Sequence, residues 1–179
     1  MEQANPYATP NATVSDFQQE EGFGDIKVLT SKGRMGRLRY FYYLMLTGLI
    51  GFILIGLAAM LLSVSPTIGG ILVFVLYVAL IVINVLLTIQ RCHDLDKSGW
   101  WSLLLLIPFA FLYFYFFPGT KGSNRFGLMP PPNSKGVIIG SILLPILFFV
   151  VMGIISAIAL PAYQDFVQKA QQAQMQQGQ

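Results

Sequence analysis

Uninterrupted apolar runs dominate the chain from residue 40 onwards. No charged residue occurs between Tyr40 and Gln90, a stretch far longer than the roughly 18 apolar residues that indicate a membrane-spanning helix. One helix over the whole stretch would be about 75 Å long, so the run must contain two spans. Residues 63–67, with the sequence SVSPT, are typical of a turn. The pattern therefore predicts membrane helices at about 40–62 and 69–90.

Two further apolar runs follow, each after a polar loop. Residues 137–161 are long enough to cross a bilayer. Residues 100–117 have Pro108 in their middle, and they either cross the membrane or enter it and return at that proline. Because backbone polar groups in hydrocarbon must be paired within the protein, all these segments are predicted to be helical. The expected fold is an all-α polytopic membrane protein with three to four membrane helical segments.

Polar segments flank the apolar region at both ends. Residues 1–32 are polar and mixed in charge, and they are predicted to form a disordered tail because they have little apolar surface to bury. The membrane domain is expected to cover 33–135, followed by a C-terminal membrane helix at 136–163. Residues 164–179 form a Gln-rich tail.

Composition indicates a membrane protein and excludes an ordinary soluble enzyme. Hydrophobic residues make up 55% of the chain and charged residues 11%, whereas soluble domains carry about 25% charged residues. The mean hydropathy is +0.64, which also excludes a disordered protein. A single Cys and a single His predict no metal site, and we expect no cofactor. The net charge of +3 is too small to indicate nucleic-acid binding.

Basic residues set the expected orientation, because they accumulate on the cytoplasmic side of membrane spans. Five precede the first span, and the link between the first two spans has none. We therefore expect the N-terminus to be cytoplasmic. A crossing segment 100–117 would leave 8 basic residues inside and 3 outside, whereas a re-entrant segment would leave 10 inside and 1 outside. The re-entrant form would place the C-terminus outside the cytoplasm.

Three polar motifs stand at the predicted membrane edges. They are GRMGRLRY at 33–40, RCHDLDKSGWW at 91–101 and FPGTKGSNRFG at 117–127. In this order and spacing they resemble the bacterial membrane family called domain of unknown function 805, over about 33–133. The family often has a second basic residue where this chain has Cys92. The resemblance implies a multi-pass protein of the bacterial inner membrane, and it implies no activity.

A second resemblance covers the last apolar run. Residues 153–171, with the sequence GIISAIALPAYQDFVQKAQ, look like the N-terminal helix of type IV pilins. The glutamate that pilins carry within the apolar run is absent, and Leu144 occupies that position by count. No Gly-Phe leader-peptidase junction precedes the run. The chain is therefore not expected to be a processed pilin subunit.

The polar motifs contain the residues that we predict to form a clasp at the cytoplasmic membrane edge. A basic patch there should attract anionic lipid headgroups or an acidic partner, at about 1 kcal/mol per basic residue. Asp94 is expected to accept hydrogen bonds from an arginine such as Arg37 or Arg125, because bidentate pairs of this kind suit partly dry sites. The predicted clasp residues are Arg34, Arg37, Arg39, Arg91, His93, Asp94, Lys97, Asn124 and Arg125.

Helix packing is the role predicted for four further residues. Asn84 and Thr88 lie on one helical stripe, and polar groups in such stripes most often hydrogen bond neighbouring helices. Gly153 and Ala157 form a small-x-x-x-small pair that permits close approach of another helix. That helix could belong to this chain, to a membrane-protein partner or to a second copy, through the span at 137–161.

The sequence predicts a non-enzymatic accessory or scaffold protein of the inner membrane, with no catalytic residues. One alternative is a small oligomeric conduit or transporter component. Another is a membrane enzyme centred on His93 and Asp94, because histidine titrates near neutrality. A nucleophile, a base and an orienting group would all be needed for that chemistry, and the loop spacing fits no such set.

Overall fold

The computed structural model describes residues 22–177, and their regular structure is helical throughout. Two 3₁₀ helices accompany the α-helices, the first at Leu61–Ser63 and the second at Gly99–Leu106. Within this part of the chain there is no strand, which confirms the all-α prediction. The four α-helices are α1 (Arg37–Met60), α2 (Pro66–Asp94), α3 (Phe111–Phe116) and α4 (Lys135–Gln177).

Within residues 22–177, three helices are long and apolar enough to cross a membrane, at Arg37–Ser63, Pro66–Asp94 and Lys135–Gln172. Only 11%, 6% and 6% of their most apolar stretches are buried within the chain. Most of their large hydrophobic side chains are therefore exposed, and lipid is the surrounding that removes such surfaces from water. The architecture is that of a polytopic membrane protein, as predicted from the apolar runs.

Local signals explain where α2 begins and ends. Pro66 stands in its first turn, where a missing backbone N–H costs nothing. At the other end, the N–H of Lys97 donates to the Cys92 carbonyl at 2.8 Å and that of Asp96 to the His93 carbonyl at 3.1 Å. This is the Schellman arrangement, with Asp96 at φ +55° in the left-handed region that Asp tolerates. The chain consequently turns away from the helix axis immediately after Asp94.

The start of α1, the end of α2 and the start of α4 meet at one end of the bundle, which we call the motif end. The Tyr40 hydroxyl lies 3.0 Å from the Thr88 hydroxyl, joining α1 to α2. Ser141 of α4 donates to the Leu38 carbonyl at 3.5 Å. Gly140 packs so closely on the ring of Tyr42 that a Cβ would collide with it. Thus α1 and α4 run in the same direction, and α2 runs opposite to both.

Residues 99–117 form a hairpin and not a fourth spanning helix. The second 3₁₀ helix leads to Pro108, and Phe109 follows at φ +64°, so the chain reverses there before α3. Arg91 on α2 donates from Nε to the Phe114 carbonyl at 2.8 Å. The hairpin therefore returns to the end of α2, where it started. Of the two predicted forms of this segment, the geometry matches the one that turns back at Pro108.

Helix α4 continues well beyond the predicted span. It runs unbroken through Pro145 and Pro161 to Gln177, so the Gln-rich tail predicted at 164–179 continues this helix in the described residues. A proline removes one helical hydrogen bond, and it disfavours the helical conformation of the residue before it. The Gln, Ala and Lys residues that follow favour helix strongly enough to carry it on.

The last part of the tail predicted at 1–32 is ordered against the helices. Residues 1–21 lie outside the described residues, but 22–32 contact the motif end. The side chain of Gln90, only 1% exposed, donates from Nε2 to the carbonyls of Lys27 at 2.8 Å and Thr30 at 2.5 Å. Polar composition suggested disorder because it does not reveal that a buried amide on α2 binds this backbone.

Replacing Tyr40 by phenylalanine should cost about 0.6 kcal/mol, the value typical of an interhelical hydrogen bond in membrane proteins. The ring would keep its edge contact with Phe114, whose centroid lies 6.5 Å away, and Thr88 would still donate to the Asn84 carbonyl at 2.8 Å. Unfolding in mixed micelles with increasing SDS measures the change, with the exposed Tyr77→Phe as control. A loss as large as that of Tyr40→Ala would contradict the expected role of the hydroxyl.

Candidate functional site at the motif end

A buried ion cluster occupies the centre of the motif end. Asp94 accepts from Nη2 of Arg34 through its Oδ1 atom at 3.1 Å, and from Nη1 of Arg91 through its Oδ2 atom. The three side chains are 4%, 1% and 0% exposed, in the order Asp94, Arg34 and Arg91. One carboxylate thus bridges two guanidinium groups that come from different motifs.

The partners of Asp94 differ from those predicted. Arg37 is exposed at the start of α1, and Arg125 instead pairs with Asp96, Nε to Oδ1 at 3.2 Å. Arg91 pairs with Asp94 because it lies three residues earlier on the same face of α2. Arg34 reaches Asp94 because the segment before α1 crosses the end of α2. There the N–H of Met35 donates to the Gln90 carbonyl at 3.1 Å.

The two terminal nitrogens of Arg34 also hold the third motif, whereas its Nε has no hydrogen-bond partner among the described residues. Nη2 donates to the Thr120 carbonyl at 2.7 Å, and Nη1 donates to the Gly122 carbonyl at 2.6 Å and the Gly127 carbonyl at 3.3 Å. The Thr120 N–H in turn donates to the Asp94 carbonyl at 2.8 Å. The planar fork of an arginine suits this simultaneous binding of several acceptors.

Two glycines permit the close approach of these loops. A Cβ at Gly119 would lie on the carboxylate of Asp94, so no larger residue fits there without moving the ion cluster. Gly33 has φ +89°, which favours glycine, and its carbonyl lies 3.2 Å from Nδ1 of His93. Gly33 and Gly119 therefore have a conformational and a steric reason, respectively.

His93 lies between the first and third motifs. Its ring stacks on Phe126, with centroids 4.0 Å apart and planes 7° from parallel. The Asn124 side chain donates to the His93 carbonyl at 2.8 Å and to the Thr120 hydroxyl at 3.0 Å. Within residues 22–177 no hydrogen bond joins the His93 ring to the Asp94 carboxylate. The two side chains therefore bind different groups.

The predicted basic patch separates into an interior and an exterior group. Arg34 and Arg91 are interior and share Asp94, while Arg37 remains at the surface. Arg39 is 7% exposed and donates from Nη2 to the Pro132 carbonyl at 2.9 Å. Lys97 lies over the ring of Trp101, 5.1 Å from its centroid. The surface charge is consequently smaller than the sequence alone suggested.

Sequence reasoning missed three residues that complete the site. Gln90 fixes the segment before α1, Thr120 joins Arg34 to Asp94, and Gly119 makes room for the carboxylate. Gln90 was recognisable as the polar residue that closes the long uncharged run. Nothing in the sequence distinguished Thr120 from a solvent-exposed loop residue, because its role depends on which backbone it faces.

The four residues predicted to pack helices differ in what they contact. Thr88 contacts Tyr40 of α1, but Asn84 donates to the Leu80 carbonyl of its own helix at 2.8 Å. Gly153 has open space where a Cβ would lie, and Ala157 is exposed. The internal packing role expected for this pair is therefore wrong in the described chain, and a contact with another helix stays a prediction.

The fold and the site define a small polytopic α-helical membrane protein whose polar motifs converge at one end of the helix bundle. Residues 28–128 match the family described as Protein of unknown function (DUF805), and the chain belongs to this family. The match confirms the resemblance that the three motifs indicated over about 33–133. It leaves the likeness of α4 to pilin helices untested.

Two relatives from Escherichia coli (strain K12) carry the same description of location. Inner membrane protein YhaH is 35% identical over 111 residues, covering 55% of this chain and 85% of that protein. Inner membrane protein YhaI is 33% identical over 108 residues, covering 58% and 87%. No solved structure matches the chain. The chain is thus an integral inner-membrane protein whose family has no assigned activity.

Proposed function

We propose that this protein is a non-enzymatic accessory or scaffold protein with its motif end at the cytoplasmic face. The observation that carries the proposal is the ion cluster formed by Arg34, Asp94 and Arg91. It ties the segment before α1, the end of α2 and the loop 117–127 into one unit. The groups that could perform acid–base chemistry are engaged in holding these segments together.

The distribution of basic residues supports the cytoplasmic placement of the motif end. With three spans and a hairpin at 99–117, every lysine and arginine except Lys169 lies on the side of the motif end. Such an excess is typical of the cytoplasmic side. The same arrangement would carry the end of α4 into the periplasm.

Anionic lipid headgroups are the partners that this surface supports. Arg37, Lys121 and Lys135 are exposed at or near the membrane edge, and within the described residues none of them forms an ion pair. Each basic residue near an anionic bilayer contributes about 1 kcal/mol of attraction. The proposed surface would orient and retain the protein in an anionic leaflet.

Helix α4 supplies the proposed scaffold surface for a membrane-protein partner or a second copy. Beyond its contact with α1 the helix exposes large apolar side chains such as Ile146 and Phe149. Gly153 and Ala157 interrupt this surface with small residues, which let another helix approach closely. The shape and polarity of this surface support a contact with another helix, but they do not identify the partner.

Cysteine labelling from the two sides of the membrane tests the proposed orientation. Ser123→Cys in the third motif should react only with reagent admitted to the cytoplasm, and Ala170→Cys on α4 only with periplasmic reagent. Ser123 is preferred to Gly122, whose φ of +70° favours glycine. The unmodified chain is the blank, because Cys92 is fully buried. Periplasmic labelling at position 123 would contradict the proposal.

A further inference from the structure

Two adjoining grooves lie on either side of the start of α1. The first, of about 580 Å³, is bounded by α1, the loop after Pro118 and the prolines at 130–132. The second, of about 520 Å³, is bounded by α1 and α3. Arg37 and Leu38 line both. We call them the polar groove and the apolar slot.

Among residues 22–177, the lining of the polar groove has cations without matching anions. Arg37, Arg39 and Lys121 line it, and the one acidic residue of this described lining, Asp94, already bridges Arg34 and Arg91. Arg39 is more than nine-tenths buried, and its Nη1 atom has no hydrogen-bond partner among the described residues. An enclosed guanidinium N–H without an acceptor is costly, so an anionic acceptor beside Arg39 would be favourable.

The apolar slot has the opposite character. Its walls, apart from the shared Arg37, are aliphatic and aromatic side chains of α1 and α3, among them Phe41, Leu112 and Phe116. Phe116 is 71% and Phe41 partly exposed, so the slot opens outward along the surface that faces lipid. A small soluble anion would gain nothing from it, whereas a hydrocarbon chain could pack along its aliphatic and aromatic walls.

We propose that the two grooves together bind one anionic phospholipid molecule. Its phosphate would lie against Arg37, Arg39 and Lys121, and one acyl chain would enter the apolar slot. This inference rests on the proposed function for the membrane leaflet in which the lipid resides. It goes beyond that function because it assigns a single site of defined composition instead of a diffuse attraction to the bilayer surface.

Native mass spectrometry of the full chain in detergent tests the site with phosphatidylglycerol, phosphatidylcholine and soluble glycerol phosphate as probes. We expect one retained phosphatidylglycerol and weaker retention of phosphatidylcholine. Arg37→Gln with Arg39→Gln should weaken phosphatidylglycerol binding about 25-fold, at roughly fivefold for each basic residue. Lys27→Gln with Lys32→Gln changes the charge equally outside both grooves and should leave binding unchanged.

A second pair of variants tests the acyl chain. Leu112→Trp should fill the slot and lower phosphatidylglycerol binding at least tenfold, while Leu103→Trp, on the exposed part of the hairpin and outside both grooves, should not. Lys121→Gln is the exposed alternative if replacement of the buried Arg39 prevents folding, and it should weaken binding about fivefold.

Three results would overturn the site. Equal retention of both phospholipids by all variants would remove it. Displacement of phosphatidylglycerol by equimolar glycerol phosphate, with no effect of Leu112→Trp, would make it a site for soluble phosphate. Equal weakening by the Lys27 and Lys32 replacements would reduce it to diffuse surface charge. None of these results would alter the cysteine-labelling result that tests the proposed orientation.

Discussion

Replacing Asp94 by asparagine is expected to remove most of the folded protein from the membrane. The substitution keeps the size of the side chain but leaves Arg34 and Arg91, 1% and 0% exposed, without their shared carboxylate. Removing one partner of a buried ion pair destabilises proteins by about 3–5 kcal/mol. Folded proteins are typically stable by only about 5–15 kcal/mol, so this is the largest single effect that we expect.

The measurement is the yield of folded protein from membranes together with its thermal unfolding in detergent. Asp96→Asn is the matched control, because it is the same substitution two residues later, at a carboxylate 46% exposed and paired with Arg125. Exposed ion pairs contribute about 0–1 kcal/mol, so this variant should behave almost as the unchanged chain. Equal stability of the two variants would show that the ion cluster does not hold the motif end together.

Gly119→Ala is expected to produce the second-largest loss of stability. A Cβ at this position would coincide with the carboxylate of Asp94, which cannot move aside because Arg34 and Arg91 hold both of its oxygens. Inserting one methyl group into a well-packed site costs about 1–3 kcal/mol. The loss should lie at the upper end of that range, because the displaced group is charged and buried.

Gly36→Ala is the control for this substitution, since nothing lies within 4 Å of a Cβ there and its φ of −65° suits alanine. Thermal unfolding in detergent compares the two variants. Combining Gly119→Ala with Asp94→Ala gives a further test, because the shortened side chain removes the collision. The combined loss should then be clearly smaller than the sum of the separate losses. Additive losses would show that the effect of Gly119→Ala does not arise from a collision with the Asp94 carboxylate.

The ion cluster makes the three motifs dependent on one another. Arg34, Asp94 and Thr120 stand far apart in the sequence, yet each binds the other two. A buried ion cluster contributes modestly to stability compared with well-packed apolar residues. An incomplete cluster leaves a buried charge without a partner. This strongly destabilises any arrangement in which one motif is displaced. The cluster therefore favours a single geometry of the motif end.

The membrane spans were predictable because a segment in lipid must be apolar and must pair its own backbone polar groups. The runs predicted at 40–62 and 69–90 correspond to α1 at Arg37–Met60 and α2 at Pro66–Asp94. Uncharged length identifies a span, and the absence of water forces that span to be a helix. The ends were less accurate, since α2 continues through Arg91 and Asp94 once those charges have partners.

The partners of Asp94 were not predictable in the same way. Arg37 and Arg125 were reasonable choices by sequence, but which arginine reaches a carboxylate depends on how the segment before α1 crosses α2. Gln90 directs that crossing by binding the carbonyls of Lys27 and Thr30. Such a contact joins residues about 60 positions apart, and no local pattern reports it.

The sequence by itself determined the membrane class, the helical spans and the three motifs, because the hydrophobic effect and the hydrogen-bonding needs of the backbone act on local composition. The tertiary structure alone decided that 99–117 turns back, that 22–32 is anchored and that Asp94 joins Arg34 to Arg91. These outcomes depend on distances between segments remote in the chain. Only packing sets those distances, and it decides which charges become buried together.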